Sequence, residues 1–315
     1  MQTLNKLPNY SITQRLIENS IVYTDRNGVY YKTRSGKDQI VKETINRLNS
    51  ICHNGIKVIS NESEDPKSKI LLTDKNNGIH INSSNYNLSY EQGVAFIRNT
   101  LGFNKCFFVG NDTVAKEVVK MGMEIVNLSE ITSNNYIRPF IQPNNSLPIL
   151  FARPVFAINA RCKSQEDIDN ELDCDFSIDA VKLILSNSDS KVVFCHTKPN
   201  CPKNDYIELN LGYYFEYLIN EFGLEVGKNI FNVGKGNFSL GEIFDSSLKI
   251  YNKDYSKVVG IGDMYSDIKH TLDNGGKGIL VLSGDEQITD DLVTILNSYG
   301  ERLTVLDDLS QLNIQ

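Results

Sequence analysis

The sequence predicts an α/β protein: a doubly wound parallel sheet with a second α/β module inserted into it. Three observations predict this. Short apolar runs alternate with segments of helical periodicity, the pattern of consecutive βα units. The runs end on polar or glycine residues, as strands do when their carboxyl ends open onto a ligand crevice. The alternation breaks after about residue 83 and returns in the C-terminal third. Residues 1–83 and 201–315 are therefore expected to form the core, and residues 84–200 the inserted module. A length of 315 residues fits two domains at roughly 100–200 residues each.

The first apolar run is Ile21-Val22-Tyr23-Thr24, ending at Asp25 before the Gly28 turn. Val41, Ile45, Leu48 and Cys52 then fall at i, i+4, i+7 and i+11, one face of a helix that Asn54-Gly55 closes. Ile56 to Ile59 reads as the next strand and ends at Ser60-Asn61. Inside the expected insert, Tyr90, Val94, Ile97 and Leu101 mark a helix, and Cys106 to Val109 a strand. Asn111 is placed to cap the helix from Val114 to Met121, with Gly122 as its terminator. Residues 127–148 are polar and proline-bearing and are expected to form a long loop. Val192 to Cys195 is a further strand. In the last third, Leu211, Phe215, Leu218 and Phe222 make a helical face. The strands Ile230–Val233, Val258–Ile261 and Gly278–Leu282 follow, then a helix around Leu292 to Leu296.

Composition excludes several classes. Apolar residues are 40% and charged residues 23%, ordinary globular usage. A net charge of -7 without a long basic run argues against nucleic acid or an anionic membrane as partner. The most apolar region, Leu147 to Ile158, is interrupted by Pro148, Arg153 and Pro154, so no membrane span is expected. The N-terminus lacks an apolar signal core. Six scattered cysteines with no Cys-x-x-Cys pair read as reduced, packed thiols, and the expected location is cytoplasmic. His53, His80, His196 and His270 show no ligand spacing. The chain holds 35 asparagines, so any one of them carries less information than it would elsewhere.

The residues at the predicted strand ends form a constellation: Asp25, Ser60-Asn61, Lys235, and Asp263 with Asp267. Asp263 and Asp267 stand at i and i+4, a spacing that faces one side of a helix. Carboxylates that hold a hard cation, a lysine and hydrogen-bond donors are what metal-assisted phosphoryl transfer requires. The bland readings are a turn residue for Asp25 and Ser60, helix caps for Asp263 and Asp267, and a solvated lysine between Gly234 and Gly236.

In order along the chain, these segments resemble the four motifs of the haloacid dehalogenase (HAD) superfamily. Tyr23-Thr24-Asp25-Arg26-Asn27-Gly28-Val29 resembles the first and Val58-Ile59-Ser60-Asn61 the second. Val233-Gly234-Lys235 resembles the third, and Gly262-Asp263-Met264-Tyr265-Ser266-Asp267-Ile268 the fourth. The resemblance spans about Ile21 to Gly284 and is to class IIA, which includes nitrophenyl and phosphoglycolate phosphatases. It implies a Rossmann-like HAD core with an inserted C2-type α/β cap. It implies a Mg²⁺-dependent phosphoric monoester hydrolase acting through an aspartyl-phosphate on Asp25. Asp25, Asn27 and Lys235 would be catalytic; Ser60, Asn61 and Lys235 would bind the phosphoryl group. Asp25, Asp263, Asp267 and the main chain of Asn27 would hold Mg²⁺. A small phosphorylated substrate is the implied partner, and the class allows a homodimer through the cap. His196-Thr197-Lys198-Pro199-Asn200 resembles the segment where the cap rejoins the core.

One departure stands out. The family's general acid–base, a second aspartate in the first motif, is Asn27 here. An amide cannot give and retrieve a proton, and loss of such help costs about 10²–10⁴ in rate. Two further readings follow: an impaired relative that binds metal and a phosphorylated ligand without efficient turnover, or a dehalogenase, against which Asp263 and Asp267 count. On the missing-acid account, Asn27→Asp is expected to raise turnover of alkyl phosphates about 10²-fold or more.

Overall fold

The computed structural model describes residues 11–12, 18–63, 65–130, 138–141, 146–153, 167, 176–198, 201–202, 207–208, 210–235, 245, 248–250, 252, 254–284, 286 and 288–314. Its strands are β1 (Ser11–Ile12), β2 (Ile21–Thr24), β3 (Lys57–Ser60), β4 (Tyr86–Leu88), β5 (Lys105–Val109), β6 (Glu124–Asn127), β7 (Ile149–Phe151), β8 (Val192–Phe194), β9 (Cys201–Pro202), β10 (Ile207–Glu208), β11 (Ile230–Asn232), β12 (Val258–Gly262), β13 (Lys277–Val281), β14 (Leu303–Leu306) and β15 (Asn313–Ile314). Its α-helices are α1 (Asp38–Ile51), α2 (Lys67–Asn76), α3 (Ser89–Asn99), α4 (Asp112–Lys120), α5 (Phe176–Asn187), α6 (Leu211–Phe222), α7 (Tyr265–Asp273) and α8 (Asp290–Ser298). The α/β class expected from the alternation is the class observed. The chain divides into two compact units: residues 1–60, 67–87 and 245–315, and residues 61–66 and 88–244.

The first unit is built on a six-stranded sheet in the order β14-β13-β12-β2-β3-β4. The pairs β14–β13, β13–β12, β12–β2 and β2–β3 are all parallel. From β2 the chain steps outward to β3, while β12 leads the other way through β13 to β14. The junction of β2 and β12 is thus the point where the winding reverses, and such reversals open the ligand crevice of a doubly wound sheet. Burial follows the sequence pattern. Val41, Ile45 and Leu48 of α1 are buried, as the helical spacing predicts. Ile268, Leu272, Leu280, Leu296, Leu303 and Val305 join α7, α8, β13 and β14 in one apolar cluster. At roughly 25 cal/mol per Å² of apolar surface removed from water, such clusters supply the main favourable term of folding.

The second unit carries a five-stranded sheet, β11-β8-β7-β5-β6, parallel throughout. Its core is aromatic. Phe151 and Phe194, on neighbouring strands, stack with centroids 4.7 Å apart and planes 8° from parallel. Phe215 of α6 meets Phe194 edge-on at 5.2 Å. Asn111 caps α4 as expected, its side chain accepting from Val114 N–H at 2.9 Å. Gly223 ends α6 in the left-handed conformation.

Several expectations need correction. The boundary near residue 200 gives way to one at 244/245, because β11 pairs with β8 and α6 packs on the same sheet. His196-Thr197-Lys198 accordingly follows β8 inside the second unit rather than returning the chain to the first. At the other end, residues 84–87 belong to the first unit through β4, and residues 61–66 to the second. The stretch 127–148 is not simply a loop: 3-10 turns occupy Leu128–Glu130 and Arg138–Phe140, while 131–137 and 142–145 lie outside the described residues. Cys52, Cys106 and Cys195 are free and buried, and burial pushes the thiols of Cys52 and Cys106 up to about 12, so they are inert. Pro154, Cys162, Cys174, Pro199, Asn200 and Gly236 lie outside the described residues.

Candidate active site

Asp25 follows β2, and Asp263 follows β12, the two strands at the reversal point. Their parallel register pairs Thr24 with Ile261, so both carboxylates leave the sheet at one edge. Asp25 N–H extends the ladder by donating to Ile261 O at 2.9 Å. The carboxylate of Asp25 is oriented by its neighbour, since Arg26 N–H donates to Asp25 Oδ1 at 2.6 Å. Asp267 sits in the first turn of α7 and accepts from Met264 N–H at 3.0 Å. It is therefore a helix cap as well as a member of the cluster. One oxygen from each of Asp25, Asp263 and Asp267 lies within 4.8 Å of the others. Asp263 is 5% and Asp267 4% exposed. Carboxylates crowded at that depth repel unless positive charge offsets them, and hard oxygens at this spacing suit a hard divalent cation.

Beneath them lies Tyr23, fully buried, donating to Asp267 O at 2.8 Å and sharing a 2.9 Å hydrogen bond with Thr271. Burial pushes its phenol far up, helped by the charges of Asp267 and Asp25, so the ring stays a neutral donor.

Glycines make the crowding possible. A Cβ on Gly284 would fall 1.9 Å from Asp263 Oδ2, and one on Gly28 2.3 Å from the same atom. A Cβ on Gly262 would meet Asp267 Cβ at 2.3 Å. Gly28 also has φ +80, so the turn after Asp25 is doubly selective for glycine. Ser283 Oγ donates to Gly28 O at 2.7 Å, holding that turn against the segment after β13. Gly284 and Ser283 had no motif role in the sequence; only their approach to Asp263 and Gly28 reveals one.

The first-motif loop contains a second unforeseen element. Arg26 is 4% exposed and binds Asp74 of α2 through Nε at 2.9 Å and Nη2 at 2.7 Å. Tyr86 donates to the other Asp74 oxygen at 2.6 Å, and the guanidinium lies 3.7 Å above the Tyr31 ring centroid. Burial works against the charge on Arg26, but the Asp74 carboxylate outweighs it and holds the guanidinium protonated. Asn27 is exposed, and its Oδ1 accepts from Arg26 Nη1 at 3.3 Å.

Ser60 closes β3, buried at the same carboxyl edge of the first sheet. Asn61 and Lys235 belong to the second unit and are joined by two hydrogen bonds. Lys235 N–H donates to Asn61 Oδ1 at 2.9 Å, and Asn61 Nδ2 donates to Lys235 O at 3.2 Å. Gly234 is enforced, since a Cβ there would lie 2.0 Å from Cys195 O. Lys235 is 3% exposed. His196 is buried in the same unit, accepting from Lys198 N–H at Nδ1, 3.2 Å away, with Nε2 3.5 Å from Ser63 Oγ. Burial, with Lys198 and Lys235 adding to it, lowers its imidazole to about 3, so it is a neutral ring.

No protein-family model matches the chain, and no curated protein matches its sequence. Solved structures do match it. A p-nitrophenyl phosphatase from Archaeoglobus fulgidus superposes with a TM-score of 0.60 at 17% identity, covering 93% of this chain and 98% of its own. A 4-nitrophenylphosphatase from Thermotoga maritima gives 0.59 at 15% identity, with 94% and 97% covered. A hypothetical protein from Pyrococcus horikoshii OT3 gives 0.63 at 16%, with 92% and 97% covered. This chain has their fold. The α/β fold with a second α/β unit that the sequence predicts is thus the fold found, across nearly the whole length of each neighbour. Among the described residues no helix is long and apolar enough to cross a membrane.

Proposed function

We propose that this chain is a phosphoric monoester hydrolase that attacks its substrate with Asp25. The observation that carries the reading is the convergence of Asp25, Asp263 and Asp267 at the reversal point of the sheet. Asp25, Asp263, Asp267 and the main chain of Asn27 would hold Mg²⁺, which when bound neutralises charge on the phosphoryl oxygens. A carboxylate oxygen of Asp25 attacks phosphorus while the bond to the leaving oxygen breaks and that oxygen departs with the electron pair. Water then attacks the phosphorus of the aspartyl-phosphate, releasing inorganic phosphate and the carboxylate. Arg26 N–H keeps the Asp25 carboxylate oriented throughout. Ser60, Asn61 and Lys235 are proposed as phosphoryl ligands on their place in the second and third motifs. The second unit is proposed as the cap that selects the substrate. The neighbours' printed activity, hydrolysis of nitrophenyl phosphate, names the assay.

A second reading, a phosphate-binding relative with little turnover, is favoured by Asn27 alone. The two separate on p-nitrophenyl phosphate hydrolysis with Mg²⁺ and with EDTA, using wild type and Asp25→Asn. Mg²⁺-dependent turnover abolished in Asp25→Asn supports the hydrolase. Saturable Mg²⁺ and phosphate binding with no turnover supports the binding protein.

A further inference from the structure

We infer that Arg26 is a positioning residue that turns Asn27 into a fixed hydrogen-bond donor for the departing oxygen. The inference rests on the hydrolase reading. An asparagine amide can face a ligand with either its oxygen or its nitrogen, and in an exposed loop nothing intrinsic chooses between them. Here the choice is made by Arg26, whose Nη1 donates to Asn27 Oδ1 at 3.3 Å. A guanidinium has only donors, so the oxygen must face it and Nδ2 is turned away.

Arg26 itself has little freedom. Asp74 takes its Nε and Nη2, the Tyr31 ring lies against its face, and the ion pair is buried. The main chain around Asn27 is equally constrained. Gly28 N–H donates to Tyr31 O at 2.8 Å, and the N–H groups of Tyr30 and Tyr31 both donate to Arg26 O. Asn27 is thus a rigidly mounted amide two residues from the nucleophile, and its NH₂ can donate but cannot protonate.

The consequence is a specificity. During attack by Asp25 the bond from phosphorus to the bridging oxygen breaks, and the electron pair stays on that oxygen. Asn27 Nδ2 donates a hydrogen bond to it, no proton is transferred, and the leaving anion takes its proton from water. Such a site suits aryl and acyl phosphates, whose leaving groups depart as anions. The donor matters more as the leaving group becomes more basic, so phenyl phosphate depends on it more than p-nitrophenyl phosphate does.

A double-mutant cycle tests this. Arg26→Lys keeps a cation for Asp74 but has no second nitrogen for Asn27. It is expected to lower kcat/KM for phenyl phosphate about 10–100-fold in wild type, and by less on p-nitrophenyl phosphate. In the Asn27→Ala background the same change is expected to cost less than about twofold. An equal cost in both backgrounds, with wild-type hydrolysis intact, overturns the inference, because Arg26 then acts only on the fold. Absence of aryl phosphate hydrolysis in wild type overturns the underlying reading as well. If Arg26→Lys does not fold, the side-chain amide of Asn27 in wild type decides. A ¹⁵N order parameter of the Asn27 side-chain NH₂ as high as that of the rigid backbone supports the inference, and one well below it, showing an amide that reorients about χ1 and χ2, overturns it.

Discussion

Gly284 approaches Asp263 so closely that a Cβ on the glycine would fall 1.9 Å from Asp263 Oδ2 and 2.3 Å from its Cβ. The missing side chain at residue 284 leaves the room in which Asp263 stands beside Asp25 and Asp267. Gly284→Ala should push Asp263 out of the cluster, since its Cβ as well as its carboxylate would have to shift. Mg²⁺ affinity measured by calorimetry should fall about 10–100-fold, the usual cost of losing the support of a ligand.

The ligand assignment separates side chains from main chain. Asp263→Asn should weaken Mg²⁺ binding strongly, whereas Asn27→Ala should leave it nearly unchanged, because only the main chain of residue 27 is assigned to the metal. Equal losses in the two variants would refute that assignment.

Asp74 anchors the first-motif loop from α2. It is 1% exposed and holds Arg26 and Tyr86. Asp74→Leu would strand a buried guanidinium, which typically costs about 3–5 kcal/mol of stability. Denaturant unfolding should show that loss. Replacing an exposed pair member, as in Lys120→Ala against Glu117, should cost under about 1 kcal/mol.

Arg26 also changes what the sequence alone led one to expect of Asn27→Asp. A carboxyl placed there would meet Arg26 Nη1, which favours its ionised form, so it would lack the proton a general acid must give. Asn27→Asp alone should therefore raise alkyl phosphate turnover by well under 10²-fold. Combined with Arg26→Lys, it should gain about 10²-fold. The ratio of alkyl to aryl turnover in both variants measures this. A full gain from the single substitution would show that Arg26 does not control position 27.

His196 makes stability depend on acid. Its folded value lies at about 3, below the ordinary 6.5, because burial disfavours the imidazolium. Between these values the unfolded chain binds a proton that the folded chain does not, so stability rises with pH across the window. The contribution is complete above about 6.5 and is lost as pH falls towards 3. His196→Gln should flatten the decline of unfolding free energy between pH 6.5 and 3, and an unchanged slope would show that another group controls acid unfolding.

The sequence by itself determined the α/β class, most of the strands and the positions of the four motifs. Local signals suffice for these: the spacing of Val41, Ile45 and Leu48 fixes a helical face, and Asn111 is a cap wherever it is packed. It also located Asp25, Asp263 and Asp267, because residues that end parallel strands share an edge. Tertiary structure alone decided the rest. The spacing of residues 230–233 marks a strand but not its neighbour, and only pairing with β8 assigns β11 to the second unit. β4 alternates over only three residues, too few to announce a strand, and the wholly buried β7 has no two-residue alternation at all. No spacing or motif in the sequence gives Arg26 or Asp74 a role. Their meeting is a contact across 48 residues, and no local periodicity encodes such a contact. The same holds for Gly284 against Asp263: what a missing side chain makes room for is set by the atoms that come to lie beside it.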